Sequence, residues 1–229
     1  MSRSPLTVRS CWLGSVPYRQ AWDLQRSLVE QVRAGEAPDT LLLLEHPHVY
    51  TMGRRGTAEH LLWDEAERQR REVDLVWSDR GGDATYHGPG QLVGYPILDL
   101  ARHGLDLLVY LRSLEGSLIA YLAELGLAGA AVPGLTGVWV GDAKVGAIGV
   151  KFNGGVVSHG FALNLTTDLD YFEGIVPCGI ADKKATSVER LNGVRLGTDA
   201  AARGYGEHFA RAFGVALDWT ARLPELVGA

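Results

Sequence analysis

The stretch Arg80-Gly-Gly-Asp-Ala-Thr-Tyr-His-Gly-Pro-Gly-Gln-Leu-Val-Gly-Tyr-Pro96 constrains this chain more than any other. Gly81, Gly82, Gly88 and Gly90 fall within ten residues, with Pro89 between the last two. That composition disfavours a helix or a regular strand and predicts an irregular loop. The loop is held at both ends by apolar runs that read as strands, Asp74 to Trp77 before it and Leu92 to Leu98 after it. A loop anchored in sheet on both sides is how a rigid binding loop is built, although a long glycine-rich turn has the same composition. Arg80, Thr85, Tyr86, His87 and Gln91 give it hydrogen-bonding side chains of several kinds.

The flanking chain alternates helix and strand patterns. Thr7 to Leu13 reads as a strand, with Thr7, Arg9 and Cys11 on one face and Val8, Ser10 and Trp12 on the other. Ala21, Leu24, Leu28 and Val32 recur at helical steps between Tyr18 and Gly35, and Leu41 to Leu44 reads as a buried strand. The segment Ala58 to Arg71 suggests a short surface helix. Asp106 stands as N-cap of a leucine-striped helix ending at Gly126, and the stripe is expected to be core. Val138–Val140, Lys144–Phe152 and Val156–Leu165, separated by Gly-Asp and Asn-Gly, predict an antiparallel meander. Gly146 and Gly149 interrupt its middle strand, as expected where something approaches the backbone closely, a ligand included. Asp168 to Ile175 suggests one or two helical turns, and a last helix is expected with Thr198 or Asp199 as cap and Tyr205, Phe209 and Ala212 buried.

With 229 residues, 46% of them hydrophobic, a full core is available and one domain, 1–229, is expected. A net charge of -5 with interspersed signs argues against a nucleic-acid partner. No apolar run approaches the roughly 18 to 20 residues that cross a bilayer, so a soluble protein without a membrane partner is expected. Cys11 and Cys178 are too few and too far apart for a disulfide framework, which suits a reducing cytoplasm. Cys11 reads as core. His46 and His48 have the spacing of a metal pair on a strand but no third ligand, and no metal is expected.

Cys178 stands between Pro177 and Gly179, in a turn that is either ordinary or exposed at a cleft. As a nucleophile it needs an activator, since a free thiol of pKa about 8.5 is mostly protonated at neutral pH. Lys144, His87 and His159 are the candidates.

Four motifs in order, Arg80-Gly-Gly-X-X-Thr-Tyr-His-Gly-Pro-Gly-Gln91, Lys144-Val-Gly-Ala-Ile-Gly149, His159-Gly-Phe-Ala-Leu-Asn164 and Pro177-Cys-Gly-Ile180, resemble the lipoyl(octanoyl) transferase family. The likeness runs from about Glu45 to about Ser187, with small departures at Met52 and Gly146. It implies an α/β (α+β) fold akin to the catalytic domains of biotin protein ligases and lipoate ligases: a mixed, largely antiparallel sheet flanked by helices. It also implies a cofactor-free acyl transfer, the first step of endogenous protein lipoylation. Octanoyl would pass from the thioester of an acyl carrier protein, through a Cys178 thioester, to a lysine of a lipoyl domain. Lipoyl domains of 2-oxo acid dehydrogenase complexes and the glycine cleavage H protein are the implied acceptors. By the resemblance, Cys178 is the nucleophile and Lys144 its activating neighbour. Arg80, Gly81, Gly82, Asp83, Ala84, Thr85, Tyr86 and His87 are implied to line the acyl pocket with Ala147, Ile148, Gly149, Gly160, Phe161 and Ala162. His159 is either part of that site or a buried imidazole that orients a loop, and the same choice holds for His87. An ATP-dependent lipoate ligase, a cysteine hydrolase using Cys178 and His159, and an inactive acyl-binding module are the rival readings.

Overall fold

Leu41 to Leu44 alternate between two hydrophobic cores, Leu41 and Leu43 in one and Leu42 and Leu44 in the other, all fully buried. A strand apolar on both faces belongs inside a layered sheet. The computed structural model describes residues 5–176 and 184–219 and shows that sheet. In chain order the elements are β1 (Leu6–Ser15), α1 (Tyr18–Ala34), β2 (Thr40–Glu45), β3 (Val49–Met52), α2 (Glu65–Arg70), β4 (Asp74–Trp77), β5 (Ala84–His87) and β6 (Gln91–Asp99). They continue with α3 (Leu107–Glu124), β7 (Ala130–Val132), β8 (Leu135–Val140), β9 (Ala143–Asn153), β10 (Val156–Asn164), α4 (Val188–Asn192), α5 (Thr198–Phe213) and β11 (Val215–Asp218).

The large sheet has the order β11-β1-β2-β6-β10-β9-β8-β7 and a smaller one the order β4-β3-β5. In the large sheet β1 runs parallel to both its neighbours and every other pairing is antiparallel, as the family resemblance implies. Helices α3 and α5 cover one face, where Leu114, Leu118, Tyr205 and Phe209 meet Leu92, Val157 and Phe161. Helix α1 covers the other, setting Ala21, Leu28 and Val32 against Leu42, Val93 and Ile97. Each fully buried side chain of this size contributes roughly 1.5–3 kcal/mol. The α1 stripe and its Gly35 terminus, at φ 77°, follow the sequence pattern. Asp106 caps α3 as expected, accepting from the Val109 N–H at 2.8 Å. The three-strand meander is also present as expected.

Five expectations need correction. The glycine-rich stretch does contain a strand: β5 pairs Thr85 with Thr51 and Tyr86 with Tyr50, because β-branched and aromatic residues occupy the positions between the glycines. Ala58 to Arg71 is not one helix but a single 3₁₀ turn, Ala58–His60, followed by the Asp64-capped α2. Gly197 caps α5, since the Thr198 hydroxyl is engaged by Glu45 at 3.0 Å. Ala212 is exposed, while Ala201, Ala202 and His208 share the buried face with Tyr205 and Phe209. Cys11 is only half-buried against the α1-side core, and burial raises its thiol pKa.

Gly94 lies in the middle of β6, where a Cβ would fall inside the Phe161 ring. Gly146 in β9 has 3.5 Å of clearance to its nearest neighbour, ordinary van der Waals contact. Gly94→Ala is therefore expected to destabilise by about 2–4 kcal/mol, and Gly146→Ala by under about 1 kcal/mol. Thermal unfolding of the two variants checks this, the first losing roughly 5–15 °C and the second little.

Candidate active site

Arg80 is buried and its guanidinium is turned onto the protein. It donates to the Thr51 carbonyl at 2.6 Å, the Thr51 hydroxyl at 2.9 and 3.1 Å, and the Asp83 carbonyl at 2.7 Å. These bonds curl the loop over the end of β3. The Gly81 N–H donates to the Val150 carbonyl at 2.9 Å and hangs the loop on β9. A Cβ on Gly149 would come 2.8 Å from the Gly81 carbonyl, so Gly149 serves this backbone contact. The interruption of the middle strand is thus filled by the glycine-rich loop itself.

Beneath the loop lies a narrow cleft with about 510 Å³ of empty space counted to its open mouth, walled mostly by apolar groups. Its lining brings together the three segments that the sequence singles out. Gly82, Asp83, Ala84, Thr85 and His87 come from the loop and β5, Ala147, Ile148 and Gly149 from β9, and Gly160, Phe161 and Ala162 from β10. Arg80, Lys144 and His159 complete it. Gly81 lines an adjoining cavity instead. Tyr86 points away into the small-sheet core, bonded to His48 Nδ1 at 2.8 Å and stacked on Tyr171 at 5.0 Å. Two further residues, Tyr18 and Tyr95, line the cleft unannounced by the sequence: one opens α1, the other reads as an ordinary strand residue.

His46, His87 and His159 are buried, and burial lowers the pKa of each. His46 Nδ1 is 2.6 Å from the Val16 carbonyl, which only accepts, so Nδ1 carries the proton and Nε2 accepts from the Tyr95 hydroxyl at 2.8 Å. Burial pulls its pKa down to about 4. His87 is held well below its ordinary value, by burial first and then by His46 and Arg80. Its Nδ1 donates to Gln91 Oε1 at 2.7 Å, because both hydrogens of the Gln91 amide are committed, to the Tyr86 carbonyl at 3.1 Å and to Asn164 Oδ1 at 2.9 Å. Asn164 Nδ2 in turn donates to the Thr186 carbonyl at 2.9 Å.

His159 has φ 55°, the left-handed region, in the middle of β10. Such a residue costs of order 1–3 kcal/mol and persists where its surroundings fix it. Here the buried Gln25 of α1 takes the His159 N–H at 2.8 Å, and Asp79 takes its Nε2 at 2.8 Å. Lys151 reaches the second Asp79 oxygen at 2.6 Å. The His159 hydrogen bond leads the causes that hold the Asp79 carboxyl well below the usual range, while burial lowers the His159 pKa against Asp79. Asp79 and Gln25 carry no motif that marks them in the sequence.

Lys144 stands at the start of β9 with its ammonium 4.8 Å from the Trp139 ring centroid. Its N–H donates to the Lys184 carbonyl at 2.9 Å, and its carbonyl accepts from the Thr186 N–H at 2.9 Å. Cys178 lies outside the described residues. The described chain on either side of it is tied to the site: Val176 donates to the His60 carbonyl at 2.8 Å, and His60 Nδ1 is 2.8 Å from the Asp83 carboxylate. Among the described residues no three histidines, cysteines or carboxylates gather as metal ligands, and no helix is long and apolar enough to cross a membrane.

A narrow apolar cleft between a glycine-rich loop and a two-strand floor suits an acyl chain, and the relatives agree. Residues 17–210 match the family model of the lipoyl protein ligase A/B catalytic domain. An octanoyltransferase from Solibacter usitatus is 48% identical over 209 residues, 90% of this chain and 94% of the relative. One from Rubrobacter xylanophilus is 54% identical over 190 residues, 82% and 85% of the two chains. The crystal structure of a lipoate-protein ligase A bound with ATP superposes with a TM-score of 0.80 at 17% identity, covering 96% of this chain and 91% of that one, a likeness of fold. The chain belongs to the lipoyl protein ligase A/B catalytic-domain family and, within it, to the octanoyltransferases.

Because the His46 pKa is about 4 when folded and 6.5 ordinarily, the unfolded chain binds more protons between those values. Its contribution to stability is whole above pH 6.5 and is lost as the pH falls toward 4. Proton uptake on unfolding at pH 5, measured from the pH dependence of denaturant midpoints, is expected to drop by nearly one proton in His46→Gln.

Proposed function

We propose that the cleft holds an octanoyl chain, with its carbonyl at the Lys144 end, during transfer from a carrier thioester to a lysine amine. The observation that carries this is the convergence of loop, β9 and β10 on one narrow apolar cleft with Lys144 at its wall. Apolar walls and small residues, Gly82, Ala84, Ala147 and Ala162 among them, suit eight unbranched carbons. Names borne by relatives at 48% and 54% identity support the octanoyl group.

In the first step the Cys178 thiolate attacks the octanoyl carbonyl. A carbon–sulfur bond to Cys178 forms, the bond to the donor sulfur breaks, and the proton that Cys178 gave up passes by way of Lys144 to that sulfur, so the donor leaves as a thiol. The exchange of one thioester for another conserves the energy of the donor, so no ATP and no cofactor enter. In the second step a lipoyl-domain lysine, as free amine, attacks the same carbonyl, and the Cys178 bond breaks as the amide forms. The amine proton passes to the departing thiolate, with Lys144 as the relay. An ammonium beside a thiol favours the thiolate, each unit of lowered pKa being about 1.4 kcal/mol. Of the described residues flanking the Cys178 segment, Lys184 is bonded to Lys144 and Val176 to His60, which holds Asp83, and this supports its chemistry there. Burial lowers the pKa of His87 and His159, and the Arg80 guanidinium is committed to Thr51 and the Asp83 carbonyl, which favours Lys144 for this task. Acyl carrier protein as donor, lipoyl domains as acceptors and a reducing cytoplasm that keeps Cys178 a thiol complete the reading.

Intact-mass measurement after incubation with octanoyl-acyl carrier protein, without ATP, tests it. The wild type is expected to gain one octanoyl group that a lipoyl domain discharges, and Cys178→Ala to gain none. Lys144→Ala should slow loading by about 100-fold or more. Labelling that appears only with free octanoate and ATP would point to the ligase reading instead.

A further inference from the structure

A second cavity adjoins the acyl cleft, with about 860 Å³ of empty space counted to its mouth. Gly82, Lys144, Ile148 and Gly149 line both, so the two meet at Lys144 and Ile148. Arg55, Leu111, Thr136 and Val150 form part of the outer wall. The wall mixes an exposed cation, a hydroxyl and aliphatic groups, unlike the apolar cleft beside it.

One edge of β9 faces this space. The Val150 carbonyl points away from β10, to Gly81, at 2.9 Å. In an antiparallel strand the N–H and C=O of every second residue share an edge, so the Ile148 peptide groups face the same way. Strand β8 does not reach them, because its register with β9 ends at the pair Val138–Gly146. Among the described residues the loop's backbone bond to β9 goes to Val150 instead. Among the described residues this register leaves Ile148 with one donor and one acceptor for an extended chain laid along the edge.

Arg55 lines the second cavity and not the first. Its N–H is fixed to the Gly82 carbonyl at 3.0 Å, and its side chain is exposed, with no ion pair or hydrogen bond among the described residues. A guanidinium so placed suits a phosphate.

We propose that the second cavity receives the thiol arm of the donor, an amide-bearing chain ending in a phosphate. An arm amide lies on the Ile148 peptide edge, the phosphate sits at Arg55, and the thioester carbonyl rests at the junction beside Lys144. This rests on the transferase reading above and names the donor part of that site. The acceptor is a poorer occupant: a lysine side chain is short, carries no amide of its own and is repelled by Arg55.

The test uses two free donors, octanoyl-phosphopantetheine and octanoyl-pantetheine, with loading followed by intact mass. Wild type should show a KM for the phosphorylated donor about ten-fold below that for the other. Arg55→Ala should raise only the KM for the phosphorylated donor, removing the difference with kcat within about two-fold, and Arg55→Lys should restore most of it. Equal KM values in the wild type, an unchanged ratio in Arg55→Ala, or normal loading with slowed discharge to a lipoyl domain would overturn the assignment. Loading of wild type from the carrier protein but from neither free arm would overturn it too. Failure of wild type to load even from the carrier protein would instead overturn the transferase reading, and this inference with it.

Discussion

A single chain of buried hydrogen bonds holds the cleft in shape. It starts at the Arg80 guanidinium, passes through the Thr51 hydroxyl to His87, and continues through Gln91 and Asn164 to the Thr186 carbonyl. Every link has a direction. Arg80 only donates, so the Thr51 oxygen accepts twice and its hydrogen points at His87 Nε2, 3.4 Å away. His87 must then donate from Nδ1, Gln91 must accept with its oxygen, and Asn164 must donate to the backbone. The chain joins the glycine-rich loop, the small sheet, β6 and β10 to the segment that clamps Lys144. A buried network of this kind, fully satisfied, selects one arrangement of the core, while a break at any link leaves an unpaired polar group at a cost of about 1–3 kcal/mol.

The same burial sets the electrostatics. His46, His87 and His159 surround Tyr18 and Tyr95, and burial lowers the pKa of each. Asp79 stays ionised beside His159 and Lys151, outside the cleft lining. The Arg80 and Asp83 charges in the lining are already paired with protein groups, so an apolar chain can enter without stripping water from them, while Lys144 stands at the wall and Arg55 in the adjoining cavity.

Much of this was legible in the sequence because the signals are local. The α1 and α3 stripes, the Asp106 cap and the meander turns each follow from a few neighbouring residues. The glycine-rich loop, the lysine motif and the histidine motif pointed to one site, and the fold brings them to one cleft. What was hidden depends on distant partners. Tyr86 resembles its neighbours in the motif yet turns into the small-sheet core, a choice fixed by β5 pairing with β3. Asp79 and Gln25 matter only because β10 places His159 between them in a left-handed conformation. Short edge strands such as β7 and β11 are held by pairing with β8 and β1, which no local pattern announces. Cys178 rests on its motif and on the bonds of the described residues around it.

The directed hydrogen-bond chain is tested most directly by nitrogen-15 NMR of the His87 ring across pH 5 to 8. The account predicts a neutral imidazole throughout, protonated on Nδ1 and bare on Nε2. A ring that titrates near its ordinary pKa of about 6.5, or that carries its proton on Nε2, would contradict it.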